Sequence, residues 1–290
     1  SLGNSPDPIE LIEKYSADGV RVGMLLCSPA GNDLPFDESL CEQGRNFANK
    51  IWNSYRLIKS LNIDQKINQK SHCKSAVLWF ENRINLKLEQ INKSFDQYRI
   101  SESLMITYKL IWDDFCSWYL EIIKPSFGED LDQETYEKTK YFLQTLLKII
   151  HPFMPFISEE IWNDLKDNNE NDLIISNWPD LKEFDLNLDL NFSISMNIVT
   201  SIRNIRSKNN IPRSNKLDLF SAKKISFNQQ VVKKLSNLKS INFSNTKDEK
   251  YFSFICDSNE FYIPYAGNID IEGEKIKILK ELDHLNKFLI

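Results

Sequence analysis

Arg45-Asn46-Phe47-Ala48-Asn49-Lys50-Ile51-Trp52-Asn53 is the stretch on which the reading of this 290-residue chain turns. It sits in a run from Arg45 to Leu61 without Gly or Pro, and Asp37 upstream is suited to cap a helix. Leu40, Phe47, Ile51, Tyr55 and Ile58 recur close to three- and four-residue helical spacing and form one apolar face. A second stripe, Arg45, Asn49, Asn53 and Arg56, follows the same spacing on another face. Amides and guanidinium groups carry donors and acceptors in planar arrangements, which suits them to the edges of nucleobases. Surface helices more often fill such a stripe with Lys and Glu, and an amide-rich solvated face is the plain alternative.

Outward from this helix, the interval Arg45–Lys124 contains neither Gly nor Pro, so long helices are expected. The length supports a sizeable core and two domains. No apolar run is long enough to span a bilayer and no signal peptide is visible. Five scattered cysteines point to reduced thiols and a cytoplasmic protein. His72-Cys73 lacks a partner pair at ligand spacing, so no metal site is expected. The net charge of −5 is unevenly placed: Ser201–Ser240 holds ten Lys or Arg and one acid, Asp218. That basic segment can meet phosphates locally on an otherwise acidic chain, although a charge run is often only a solvated face.

Asp7-Pro8-Ile9-Glu10 reads as a helix start, and a second short helix is expected from Ala17 to about Cys27. Asn62–Lys70 reads as a polar connection. Val77, Phe80, Ile84, Leu88, Ile91, Phe95 and Tyr98 mark an amphipathic helix. Ser101 is placed to cap the next, whose apolar face is Leu104, Tyr108, Ile111, Phe115, Trp118 and Ile122. A helix over roughly Gln133 to Ile150 stops before Pro152, and His151 to Trp162 opens another. A domain boundary is expected in Lys166–Asp172 and a short strand in Leu173–Ser176. Phe184 to Met196 alternates like a strand, yet Leu188, Phe192, Val199 and Ile202 fit a helix, which is the reading adopted from about Leu188. Leu217–Ser221 reads as a strand, Phe227–Leu238 as a basic helix, and Tyr251–Cys256 with Phe261–Tyr265 as a hairpin. Ile271, Ile278, Leu282, Leu285 and Leu289 fall at heptad-like spacing, with Lys275 breaking it.

No Gly-rich phosphate loop or catalytic triad pattern is present, and no catalytic residue is assigned. His151 beside Glu159 and Glu160 reads as a helix-end histidine. Asp113 and Asp114, adjacent on a helix, point about 100° apart and cannot share a substrate. Trp112, Phe115, Trp118 and Tyr119 could stack bases but read as core.

The Arg45–Asn53 block, with Cys41-Glu42-Gln43-Gly44 before it, resembles the first long helix of the anticodon-binding bundle in valyl-tRNA synthetases. Ser28-Pro29-Ala30-Gly31-Asn32-Asp33 also matches the valyl pattern. Ser1-Leu2-Gly3-Asn4-Ser5-Pro6-Asp7-Pro8 is similar to the segment just after the KMSKS lysines of class I synthetases. His151-Pro152-Phe153-Met154-Pro155-Phe156 is shared by valyl, isoleucyl and leucyl enzymes and fixes only the class.

The resemblance implies a mainly α fold in four parts. Residues 1–36 would be a stem-contact region after the KMSKS loop, with Ser1 the remnant of an ATP-contacting loop. Residues 37–170 would be a helix-bundle anticodon-binding domain, 171–268 a small α+β region with the basic segment, and 269–290 the first half of a coiled-coil arm. The function implied is binding and positioning of the anticodon stem-loop for a parent valine–tRNA ligase. Arg45, Asn49, Asn53 and Arg56 would face the anticodon, and Arg203, Arg206 and Arg213 the tRNA backbone. The partners implied are valine tRNA and the catalytic and editing domains of the parent, with no membrane and a monomeric state. No cofactor is expected in this stretch, and ATP belongs to the parent. The alternatives are an isoleucyl- or leucyl-type fragment, or a helical scaffold that binds protein.

Overall fold

A computed structural model describes residues 6–27, 36–167, 171–244 and 251–264. Ser1, the Ser28–Asp33 pattern and the expected coiled-coil arm lie outside the described residues. Asp7 caps α1 (Pro8–Tyr15): its carboxylate accepts from the Ile9 N–H at 2.8 Å, and Pro8 opens the helix where no donor is needed. Ser16 then turns the chain into α2 (Ala17–Cys27). Asp37 caps α3 (Glu38–Lys59) through the Ser39 N–H at 2.9 Å. Helices α2 and α3 cross backbone to backbone. A Cβ on Gly44 would lie 2.4 Å from the Gly19 carbonyl oxygen, and one on Gly23 would lie 2.7 Å from the Cys41 nitrogen. Only glycine fits at that crossing.

After α3, β1 (Ile63–Asp64) makes a short parallel bridge to β2 (Leu131–Asp132), which the reading of Asn62–Lys70 as a connection did not contain. Between them run α4 (Ser71–Asp96), α5 (Ile100–Lys109), a π-helical segment (Leu110–Tyr119) and α6 (Leu120–Ile123). Helix α5 starts one residue before Ser101, whose hydroxyl donates to the Leu25 carbonyl at 2.6 Å instead of capping. The π-helical segment widens the buried face, so that Asp114, Phe115 and Cys116 are buried in succession. Helices α7 (Gln133–Ile150) and α8 (Pro155–Leu165) complete the bundle. Its core gathers on Phe80, whose ring lies 5.3 Å from Phe115, 4.9 Å from Tyr119 and 5.2 Å from Phe142. Phe47, Ile51 and Ile58 are buried, as the α3 periodicity requires.

Helix α8 begins at Met154-Pro155 without a cap of its own. Asp18 of α2 supplies one: its carboxylate accepts from the Phe156 N–H at 3.3 Å and the Ile157 N–H at 2.8 Å. Arg21 donates to the Pro152 and Phe153 carbonyls at 3.1 and 3.2 Å. The shared string at 151–156 is thus the seat on which α2 docks.

Leu173–Ile175 is a 3₁₀ turn, not the expected strand: the Glu159 carboxylate receives the Leu173 N–H at 2.9 Å and caps it. An extended connector leads to α9 (Leu186–Lys208), and the expected helix starts two residues earlier than Leu188. The contacts divide the chain into two units, the first comprising residues up to Ile202 and Ser226–Ser236. The boundary expected in Lys166–Asp172 therefore falls inside the first unit, because Phe192 stacks on Trp79 at 4.3 Å and belongs to the bundle core.

The second unit carries the end of α9, β3 (Leu217–Ser221), β4 (Leu238–Phe243) and the hairpin of β5 (Tyr251–Cys256) and β6 (Asn259–Pro264). The sheet order is β4-β3-β6-β5, with β3 parallel to β4 and antiparallel to β6. Asp257 and Ser258 both have positive φ, which makes the two-residue turn that suits a twisted hairpin. The basic helix is shorter than expected, α10 (Gln229–Ser236), and Leu238 opens β4.

Candidate nucleic-acid interface

Asn49, Asn53 and Arg56 are exposed on α3, opposite the buried Phe47, Ile51 and Ile58. Among the described residues their side chains make no hydrogen bond or ion pair. Beyond Glu42 the helix carries no acid, so this face is neutral or cationic along its length. Arg45 stands apart. Its guanidinium donates to the Lys14 carbonyl at 3.3 Å, reaches Glu42 at 3.4 Å and lies 5.6 Å from the centre of the Tyr15 ring. It is therefore partly committed to α1, and the three downstream residues are the open part of the expected set.

The edges of this face are firm. Tyr55 donates its hydroxyl to Asp164 at 2.6 Å, and Lys59 reaches the same carboxylate at 2.8 Å, fixing the end of α3 to α8. On the other side, the Lys50 ammonium lies 5.4 Å from the centre of the Trp112 ring. Trp112 stacks on Tyr108 at 5.5 Å, and Tyr108 meets Phe47 at 4.6 Å. Phe115 and Tyr119 are wholly core, while Trp112 and Trp118 are half-buried.

A second polar stripe, on α4, has a different fate. Asn82 accepts from the Asp185 N–H at 2.6 Å and donates to its carbonyl at 3.0 Å. Asn85 accepts from the Lys182 N–H at 2.8 Å, and Asn92 accepts from the Trp178 indole at 2.9 Å. These amides hold the extended connector, which has no ladder of its own. Arg83 lies among them, donating to Asp114 at 2.9 Å and to Asp189 at 2.9 Å, and so ties the π-helical segment and α9 to α4. Burial pushes the Asp114 carboxyl above the usual range, against the pull of Arg83. The sequence reading did not contain this triad; the only signal was an Arg between two Asn on an apolar helix.

In the basic segment, Arg203 and Arg213 are exposed. Arg206 is not, and its expected role on the tRNA backbone is corrected. Its guanidinium is buried and donates to the Pro212 carbonyl at 2.9 Å and the Asn215 carbonyl at 2.8 Å, closing the loop between α9 and β3. Burial draws its pKa below the usual guanidinium value. Charge count alone could not separate this residue from its neighbours.

His151 bonds through Nδ1 to the Ser158 hydroxyl at 2.8 Å, and burial holds its pKa below the ordinary imidazole value. With Glu159 engaged on the 3₁₀ turn, no acid–base pair forms there. Among the described residues, no group of His, Cys, Asp and Glu could hold a metal ion, and no helix is long and apolar enough to cross a membrane.

Residues 78–221 match the model of the anticodon-binding domain of tRNA ligases. Along its whole length the chain is 46% identical to the valine–tRNA ligase of Christiangramia forsetii, covering 33% of that protein. The chain belongs to the valine–tRNA ligase family. It is 44% identical over its full length to the valine–tRNA ligase of Bacteroides thetaiotaomicron, and 32% identical over 98% of its length to that of Fervidobacterium nodosum, covering 33% of each. The chain spans about a third of the length of these relatives and corresponds to their C-terminal third. Within this valine–tRNA ligase stretch, the matched anticodon-binding domain runs from α4 to the end of β3. The open face of α3 precedes it and falls within the full-length matches.

Proposed function

We propose that this chain binds the anticodon stem-loop of a valine tRNA and positions it for a parent enzyme that joins valine to that tRNA with ATP. One observation carries the reading: α3 presents Asn49, Asn53 and Arg56 to solvent, without hydrogen-bond or ion-pair partners among the described residues and with no acid beyond Glu42 on the helix, in a chain of this family. Bases of an anticodon loop are unpaired, so their edges are open to amide and guanidinium groups. Arg203 and Arg213 serve phosphates and set register without reading sequence. Arg45 braces the face at α1. The protein acts as a monomer in the cytoplasm, and ATP is handled elsewhere in the parent. A fragment of isoleucyl or leucyl type is not favoured, since the relatives from all three organisms are valine ligases.

Competition binding tests this with tRNA transcripts that differ only in the anticodon. The expected result is tighter binding of the valine anticodon by the 290-residue chain. Equal affinity for every anticodon would remove the reading role and leave only phosphate contact.

A further inference from the structure

We infer that Trp52 is the platform on which an unpaired base of the bound RNA stacks; this rests on the reading of α3 as the RNA-facing helix. The chain has six tryptophans. Trp79 and Trp162 are buried, Trp112, Trp118 and Trp178 are half-buried, and Trp52 alone is exposed, at 36%. A single exposed apolar side chain is ordinary, so exposure does not decide the matter.

Position and support do. Trp52 comes three residues after Asn49 and four before Arg56, so both are its neighbours on the helix surface. A base lying on the indole would bring its edges within reach of an amide and a guanidinium. The indole is also braced. Its ring lies 5.2 Å from that of Tyr55, at 49°, and Tyr55 is buried with its hydroxyl on Asp164 at 2.6 Å. Asp164 is held in turn by Lys59 at 2.8 Å. A ring pre-set in this way loses little freedom when a base settles on it. Tyr98, Phe127, Phe156 and Tyr141 are more exposed, but among the described residues the first three pack against no other ring, and Tyr141, which meets Phe142, lies on α7 and not beside the polar stripe of α3. Stacking accepts any base, so Trp52 would contribute affinity while Asn49, Asn53 and Arg56 supply the choice.

The experiment compares the full chain with its Trp52→Ala, Trp52→Phe and Arg56→Ala variants. The probes are a synthetic hairpin with the valine anticodon loop and the same hairpin with abasic loop positions, read by fluorescence anisotropy. Trp52→Ala should weaken binding of the intact hairpin about ten-fold or more, Trp52→Phe should recover most of it, and the abasic hairpin should bind parent and Trp52→Ala alike. If Trp52→Ala binds like the parent while Arg56→Ala is weakened, the platform is refuted and the function of α3 stands. If Trp52→Ala weakens the abasic hairpin equally, the indole is structural and the inference fails. If no variant is weakened, both the platform and the RNA-facing role of α3 fall.

Discussion

Helices α3 and α4 carry nearly the same polar vocabulary and use it in opposite ways. On α4, Asn82, Asn85 and Asn92 are spent on the connector, and Arg83 on two carboxylates. On α3, Asn49, Asn53 and Arg56 meet only solvent among the described residues. Amide and guanidinium groups at helical spacing therefore report a demand for planar hydrogen bonding, and not its source. On α4 the demand comes from a chain segment without secondary structure, whose backbone groups have no ladder of their own to bond. On α3 no such segment lies across the face among the described residues. A helix that needed only solubility would gain more from Ala, Glu and Lys at those positions.

The largest effect that could break this contrast is at Arg83. Arg83→Ala takes from Asp114 and Asp189 the guanidinium that bonds both, with Lys87 as the remaining nearby cation, and should cost about 3–5 kcal/mol, read by urea denaturation. A loss below about 1 kcal/mol would show that the triad is screened by water, and that the two stripes are less different than they look. Next come the amides and their counterpart in the second unit. Asn82→Ala and Asn85→Ala each strand a connector N–H and should cost about 1–3 kcal/mol. Arg206→Ala should cost a similar amount by freeing the loop after α9, in contrast with the exposed Arg203 and Arg213. Reversing those two to Glu should make the salt dependence of tRNA binding shallower by about one unit of slope for each, and at Arg213 should leave the melting temperature nearly unchanged. The smallest effect sharpens the contrast from the other side: Asn49→Ala and Asn53→Ala should stay within about 0.5 kcal/mol of the parent in stability.

The sequence made most of the bundle legible because its signals are local. Asp37 caps α3, Pro152 lies just past the end of α7, and the apolar spacing of Phe47, Ile51 and Ile58 names the buried face. What it hid depends on partners distant in the chain. Leu173–Ile175 has the apolar run of a strand, but Glu159 captures its first N–H and curls it into a 3₁₀ turn. The π-helical segment keeps three- and four-residue spacings that pass for α-helix, and only the burial of Asp114, Phe115 and Cys116 in succession reveals the wider turn. The same limit applied to the candidate site. Periodicity placed Asn49, Asn53 and Arg56 on one face, but could not tell that Arg45 leans on Tyr15 or that Arg206 is buried.

The most direct test of α3 as the reading face is to measure anticodon discrimination and melting temperature together in one variant, Asn49→Ala with Asn53→Ala and Arg56→Ala. The affinity ratio for tRNA transcripts with valine and swapped anticodons should fall toward one. The cost should be about 1–3 kcal/mol for the valine anticodon and less for the swapped one, with the melting transition unmoved. An unchanged ratio in a folded variant would contradict the reading role of this face. A large fall in melting temperature would show instead that α3, like α4, uses its stripe to hold the protein together.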